Sequence, residues 1–253
     1  MAQPLNANNP VIAIPARKFR FSIRSLLILM SVVCVVLAVA VAVQQRQNRR
    51  QALQMQYHND GADIRLADWS DEIIELTTWS PREFGIDRII NEAPNLRVLR
   101  IQRNCDDTML NQFSRLKHLE VLKFRDDYEV FSEKQVKVTD EGLAHVAKIG
   151  SLKVLEISDC SAITDAGMSY LSSMPHLESF EMPNSSIGDE GVSHLAKLPR
   201  LKTLVMNGTP MTDRSLEFLR STKTLRTVWV GPAVTNPAVE KFKKETSGLS
   251  VRR

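Results

Sequence analysis

The chain repeats itself. Rows beginning at Leu152, Leu177, Leu201 and Leu225 read LKVLEISDC, LESFEMPNS, LKTLVMNGT and LRTVWVGPA, and their starts lie 25, 24 and 24 residues apart. A fixed period of this length constrains the fold more than composition does, because it belongs to architectures in which one supersecondary unit stacks on the next. Each row follows Leu-x-x-Leu-x-Leu, with Phe180 or Val228 in place of a leucine. Its residues alternate inward and outward as a half-buried strand requires. Between rows a second phrase recurs: VTDEGLAHVAKI from Val138, ITDAGMSYLSSM from Ile163, IGDEGVSHLAKL from Ile187 and MTDRSLEFLRST from Met211. Its threonine or aspartate can cap a helix start, and the aspartate suits the helix's positive end. Leu143, Val146, Ala147 and Ile149 then follow at helical spacing. The unit is a strand, a turn and a helix; it cannot bury its apolar face alone, so the units must stack.

Earlier in the chain LRVLRIQRN from Leu96 and LEVLKFRDD from Leu119 match the strand phrase, and IIELTTWS from Ile73 matches it weakly. Seven strands result. The segment VTNPAVEKFKKE closes the array: Pro237 fits a first helical turn, the lysines fit a last one, and the whole reads as a terminal cap. The expected fold is an α/β solenoid over residues 70–253, with parallel strands on a concave face and helices on a convex one.

The phrases ITDAGMSYL and LKVLEISDC, with Cys160 closing the strand row, resemble the cysteine-containing leucine-rich repeats of the ribonuclease-inhibitor-like superfamily. The resemblance covers about residues 70–240 and implies the repeat fold. Only Cys160 holds the cysteine position; Asn104, Asp127, Ser185, Thr209 and Ala233 stand in the corresponding places. Such repeats are known from F-box substrate receptors of ubiquitin ligases and from many bacterial proteins. No F-box-like module precedes them here, and FRFSIRSLLILMSVV followed by the repeats resembles small bacterial proteins with a single membrane anchor.

That anchor is the run Leu26–Val43, which holds no charge and no proline and has Ser31 as its single polar side chain. As a helix it would measure roughly 27 Å, close to the hydrocarbon thickness of a bilayer. The expected organisation is a flexible tail over 1–20, a transmembrane anchor over 21–45, and a solvated polar helical stalk over 46–69. Arg17, Lys18, Arg20 and Arg24 precede the run, against Arg46, Arg49 and Arg50 after it, which favours a cytoplasmic N-terminus and an extracytoplasmic repeat domain in a bacterial envelope. The competing reading is a signal peptide cut after the small residues Ala38, Ala40 or Ala42, which would free a secreted repeat protein.

Candidate chemistry is sparse. The net charge of +4 arises largely from cations flanking the apolar run, where headgroup contact explains them better than nucleic acid does. Three cysteines make no disulfide framework; Cys105 and Cys160 read as buried structural thiols in rows separated by one other. Asp140, Asp165, Asp189 and Asp213 recur in register, but stacked helices lie about 8–10 Å apart, too far to share an ion, so helix-start capping is expected. Gly142, Gly167 and Gly191 serve the turn or close helix packing, and His145, Tyr170, His194 and Phe218 form a half-buried packing stripe. No nucleophile elbow, His-Glu-x-x-His or carboxylate pair for acid–base work is present. No catalytic residue, cofactor, metal, nucleic acid or small-molecule substrate is expected.

The expected partner is another protein, bound on the concave sheet. The outward position of successive rows is Thr77, Arg100, Lys123, Glu156, Glu181, Val205 and Trp229, running cationic, anionic and then apolar, with Arg125 beside it. The insert RDDYEVFSEKQVK after Phe124 adds Tyr128 and Phe131 on a charged loop. A membrane-anchored, non-enzymatic protein-interaction module is the leading expectation; a ubiquitin-ligase-like adaptor or substrate receptor is the other.

Overall fold

The computed structural model describes residues 23–68, 70–78, 84–102, 105–124, 136–158, 160–246 and 248–253. The tail expected over 1–20, and Arg125, Tyr128 and Phe131, lie outside the described residues. The chain divides into two compact units, Met1–Arg49 and Arg50–Arg253.

In the first unit the described residues are helical. Helix α1 runs Ile23–Asn59, crossing into the second unit at its C-terminal end. From Leu26 to Val43 its large apolar side chains are roughly half exposed or more, so this helix is long and apolar enough to cross a membrane.

Of the polar helical stalk expected over 46–69, the helix continues as expected to Asn59, but the rest is not a solvated helix. The helix ends at Asn59, and Asp60-Gly61 turns the chain into β1 (Ala62–Leu66), which pairs antiparallel with β2 (Ile73–Thr78). Tyr57 is only 2% exposed and Leu53 packs on the core. The physical reason is that an end strand presents unpaired backbone groups and an open core, and both have to be covered. Arg50 donates to the carbonyls of Leu66 and Asp68, each at 3.2 Å, and Gln54 reaches that of Ile64 at 3.5 Å. Helix α2 (Ile86–Glu92) adds Arg88, whose guanidinium carbon lies 4.7 Å from the Tyr57 ring centre and 4.8 Å from that of Phe84. Arg88 also pairs with Asp60 at 2.7 Å and Glu92 at 3.2 Å, while the Tyr57 hydroxyl donates to Glu92. Burial first, then the Glu92 carboxylate, raises the Tyr57 phenol above its ordinary value.

The repeats follow as read. Strands β3 (Val98–Ile101), β5 (Val121–Phe124), β7 (Val154–Ile157), β8 (Ser179–Glu181), β9 (Thr203–Val205) and β10 (Thr227–Trp229) continue β2 in parallel, and β11 (Ser250–Arg252) adds a last parallel strand. A two-residue pair, β4 (Cys105–Asp106) and β6 (Val136–Lys137), forms a second small sheet. Helices α3 (Asp107–Phe113), α4 (Asp140–Val146), α5 (Asp165–Leu171), α6 (Asp189–Leu195), α7 (Asp213–Leu219) and α8 (Asn236–Glu245) pack each on the next. Leu76, Leu99, Leu122, Leu155, Phe180, Leu204 and Val228 are cross-strand partners in one row and are all buried, so one core runs between sheet and helices.

The in-register aspartates act differently from the caps expected of them. Thr139, Thr164, Thr212 and Thr235 cap their own helices. Each aspartate instead accepts from the cap residue one repeat later: Asp107 from the Thr139 N–H at 2.9 Å and hydroxyl at 2.6 Å, Asp140 likewise from Thr164 at 2.8 and 2.6 Å, Asp189 from Thr212 at 2.8 and 2.7 Å, and Asp213 from Thr235 at 2.6 and 2.8 Å. Asp165 takes the Gly188 N–H at 2.7 Å. The reason is stacking: the N–H of a cap residue points toward the preceding repeat, where a carboxylate can meet it. The recurrent glycine makes room for this, since a methyl on Gly142, Gly167 or Gly191 would overlap the carboxylate of Asp107, Asp140 or Asp165. Where Ser215 replaces glycine, its hydroxyl donates to Asp189.

Burial alone would raise the Asp189 carboxyl, but the bonds from Ser215 and Thr212 outweigh it and hold the group below its ordinary value of 3.8. A depressed folded value means the contribution is complete above 3.8 and vanishes as pH falls through the folded value. Asp189→Ala is therefore expected to lose about 2 kcal/mol at neutral pH, an amount reduced for partial exposure, and the gap to the unaltered protein should close in acid. Urea unfolding of both proteins at neutral pH and at pH about 3 checks this; a gap independent of pH would refute it.

Candidate interaction surface

The row expected to face outward does so in register. Asp63, Thr77, Arg100, Lys123, Glu156, Glu181, Val205, Trp229 and Arg252 are successive cross-strand partners. Beside it runs a second row, Val98, Val121, Val154, Ser179, Thr203, Thr227 and Ser250, equally in register. Both rows project from the sheet face opposite the helices because side chains alternate along each strand and Leu99, Leu122, Leu155, Phe180, Leu204 and Val228 take the core side.

The electrostatics differ from the expected charge gradient. Arg100 pairs with Glu75 at 3.4 Å, and Glu75 also meets Arg65. Lys123 pairs with Glu156 at 2.7 Å, and Glu156 is only 4% exposed. Strand register explains it, because β5 and β7 set Lys123 and Glu156 directly opposite each other, about 4.8 Å apart. The cationic stretch is thus neutralised within the sheet. Glu181 meets no cation among the described residues; it accepts from the Ser179 hydroxyl at 3.4 Å. Trp229 is half-buried, and the guanidinium carbon of Arg252 lies 5.3 Å from its ring centre. The second row changes character at the same place, from valines to hydroxyls.

At the strand entries a further ladder runs between repeats. Lys153 pairs with Glu120 at 2.8 Å and Lys202 with Glu178 at 2.7 Å, and the Lys202 ammonium holds the Glu178 carboxyl below the usual range. On the helix side His145 and His194 are mostly covered, each 4.0 Å from the glutamate one turn earlier, whereas Tyr170 is 47% exposed rather than packed. Met168 and Leu171 already fill the core side of its helix, and Tyr170 points away from both. Cys105 and Cys160 are buried thiols that form no disulfide, and burial raises the Cys105 thiol.

Comparison with known proteins bears on this arrangement. The family model described as Leucine Rich repeat matches residues 151–172. Among solved structures, a chain of the yeast Rad7 and Elc1 complex superposes with a TM-score of 0.50 at 17% identity, over 70% of this chain and 49% of that one. The chain folds as a leucine-rich-repeat protein. It spans about half the length of that yeast chain. Internalin C2 from Listeria monocytogenes is 16% identical with a TM-score of 0.48, over 71% of this chain and 80% of its own. The plant peptide hormone receptor RGFR1, solved in complex with RGF2, is 9% identical with a TM-score of 0.38, over 65% of this chain and 30% of its own. No curated protein matches the sequence.

Three participants in the leucine-rich-repeat sheet escape a row-by-row reading. Glu75 lies on the Val98 row beside the Arg100 row, and Asp63 and Arg252 belong to strands outside the repeats. Pairing adjacent rows by register would have found Glu75 and the Lys123–Glu156 contact, since both follow from aligning the leucines.

Proposed function

We propose that this protein is a membrane-anchored, single-pass, protein-interaction module without catalytic activity, its repeat domain on the extracytoplasmic side of the membrane. The observation that carries the reading is the uninterrupted outward sheet, whose two side-chain rows stay in register from β2 to β11. A rigid surface of this kind pre-pays the ordering that a flexible binder would lose on association. The apolar stretch of α1 supports the anchor: side chains such as Val36 and Leu37 at about 60% exposure are costly in water and stable in hydrocarbon. Arg100, Lys123, Glu156, Glu181, Val205 and Trp229 form the contact surface in this reading, together with Arg125, Tyr128 and Phe131 of the insert.

Alkaline carbonate washing of native membranes tests the anchor. The protein is expected to stay in the membrane pellet with an intact N-terminal segment; release into the wash, or a mature N-terminus near Gln44, would refute the anchored form. A Val36→Arg exchange at mid-span is expected to weaken insertion by about 2.5–3.5 kcal/mol, read as the fraction of chains integrated.

A further inference from the structure

We propose that the C-terminal half of the outward sheet binds an extended protein segment by a single basic side chain, with Glu181 as its counter-ion and Val205 and Trp229 as the floor beneath its stem. This rests on the interaction reading above and narrows it to a partner chemistry.

Charge accounting points to the location. Of the carboxylates on the outward face, Asp63 meets His58 at 2.9 Å, Glu75 meets Arg65 and Arg100, and Glu156 meets Lys123. Glu181 meets no cation among the described residues. It is half-buried, so a partner that covers it without a cation would strand a desolvated carboxylate, whereas one that brings an ammonium or guanidinium supplies the missing pair. The surface next to Glu181 suits the rest of such a side chain. Val205 is its cross-strand partner and Trp229 is the next one, so carboxylate, methyl groups and ring lie in line over about 10 Å at ordinary strand spacing. The apolar stem of a lysine or arginine spans most of that length, with its head at Glu181 and its methylenes over Val205. The ring of Trp229 already carries a cation on its other flank, Arg252. The Arg252 backbone stands three strand spacings from Glu181, and its guanidinium is engaged at the Trp229 ring rather than paired with that carboxylate.

The neighbouring hydroxyls make the segment extended. Ser179, Thr203, Thr227 and Ser250 form a file in register alongside the Glu181 to Trp229 line, and each can donate to or accept from the backbone of a chain lying across the strands. The equivalent file in the N-terminal half is Val98, Val121 and Val154, which offers a backbone nothing, and the charges beside it are already paired.

The experiment selects random linear peptides displayed on phage against the full chain in detergent micelles, then measures the enriched peptides against Glu181→Gln, Trp229→Ala and Glu181→Lys. Glu181→Gln is isosteric at a half-buried site, and matching urea midpoints establish that it folds. The expected result is a shared lysine or arginine, a loss of about tenfold or more in affinity with Glu181→Gln, and capture by Glu181→Lys of the same peptide with its basic residue changed to glutamate. Basic peptides indifferent to Glu181→Gln, or acidic and neutral peptides that bind the outward face, would overturn this inference while leaving the interaction reading standing. Peptides that bind elsewhere, or none enriched at all, would overturn both.

Discussion

Truncating Phe180 to alanine is expected to destabilise the repeat body by about 3–5 kcal/mol. Phe180 is 0% exposed and sits in the core row between Leu155 and Leu204, its cross-strand partners. It is the one aromatic ring where the other rows place Leu76, Leu99, Leu122, Leu155, Leu204 and Val228. Removing the ring deletes the transfer free energy of its carbons and opens a cavity lined by two neighbouring repeats, and a stack held on both sides cannot collapse to fill it. Phe180→Leu restores the side chain of the other rows and should lose no more than about 1.5 kcal/mol. Urea unfolding of the three proteins in the same detergent, followed by circular dichroism, measures the difference. Equal losses for both substitutions would mean that volume at this position is not what holds the repeats together.

Gly167→Ala is expected to cost about 2–3 kcal/mol, although an exposed helical glycine changed to alanine ordinarily gains up to about 1. The new methyl would overlap the Asp140 carboxylate and push it off the Thr164 N–H and hydroxyl, removing two charge-assisted bonds between repeats. The test is a double-mutant cycle. With Asp140→Ala already made, the methyl meets only the end of the Leu143 side chain, 3.1 Å away, so Gly167→Ala should lose most of its cost and the coupling should exceed about 1.5 kcal/mol. Additive losses would remove the aspartate from the account of why glycine stands there.

The leucine rows made the seven repeat strands legible, because each leucine had to face the core and the spacing then set the register. The terminal strands were not legible in the same way. Strand β1 pairs antiparallel and owes nothing to the repeat, so its ADIRL carries only the alternation of Ala62, Ile64 and Leu66 after an Asp-Gly turn, a weak signal in five residues. The aspartates misled for a different reason. Capping is a local rule, satisfied within one helix, whereas the donors these carboxylates meet lie 22 to 32 residues away. The clue was that threonine, aspartate and glycine recur together, since a local cap needs no glycine two residues on. Met109 stands at the glycine position of α3, where no aspartate bond from α2 arrives among the described residues, as that explanation requires. On the outward face the identities and order of Arg100 to Trp229 were legible, and aligning the leucines also sets Lys123 beside Glu156, but Arg65 and Arg252 were not, because β1 and β11 lie outside the repeat.

The aspartate ladder also has a direction. In every rung the acceptor belongs to the earlier repeat and the donor to the later one. A repeat emerging from the ribosome therefore meets a carboxylate that is already in place, and needs nothing still unmade to satisfy its first helical turn. A half-finished chain ends in an aspartate turned to water, which is a harmless exposed anion. Growth from the other end would leave bare N–H groups waiting for their acceptor. The stack is built to be completed in the order in which it is synthesised.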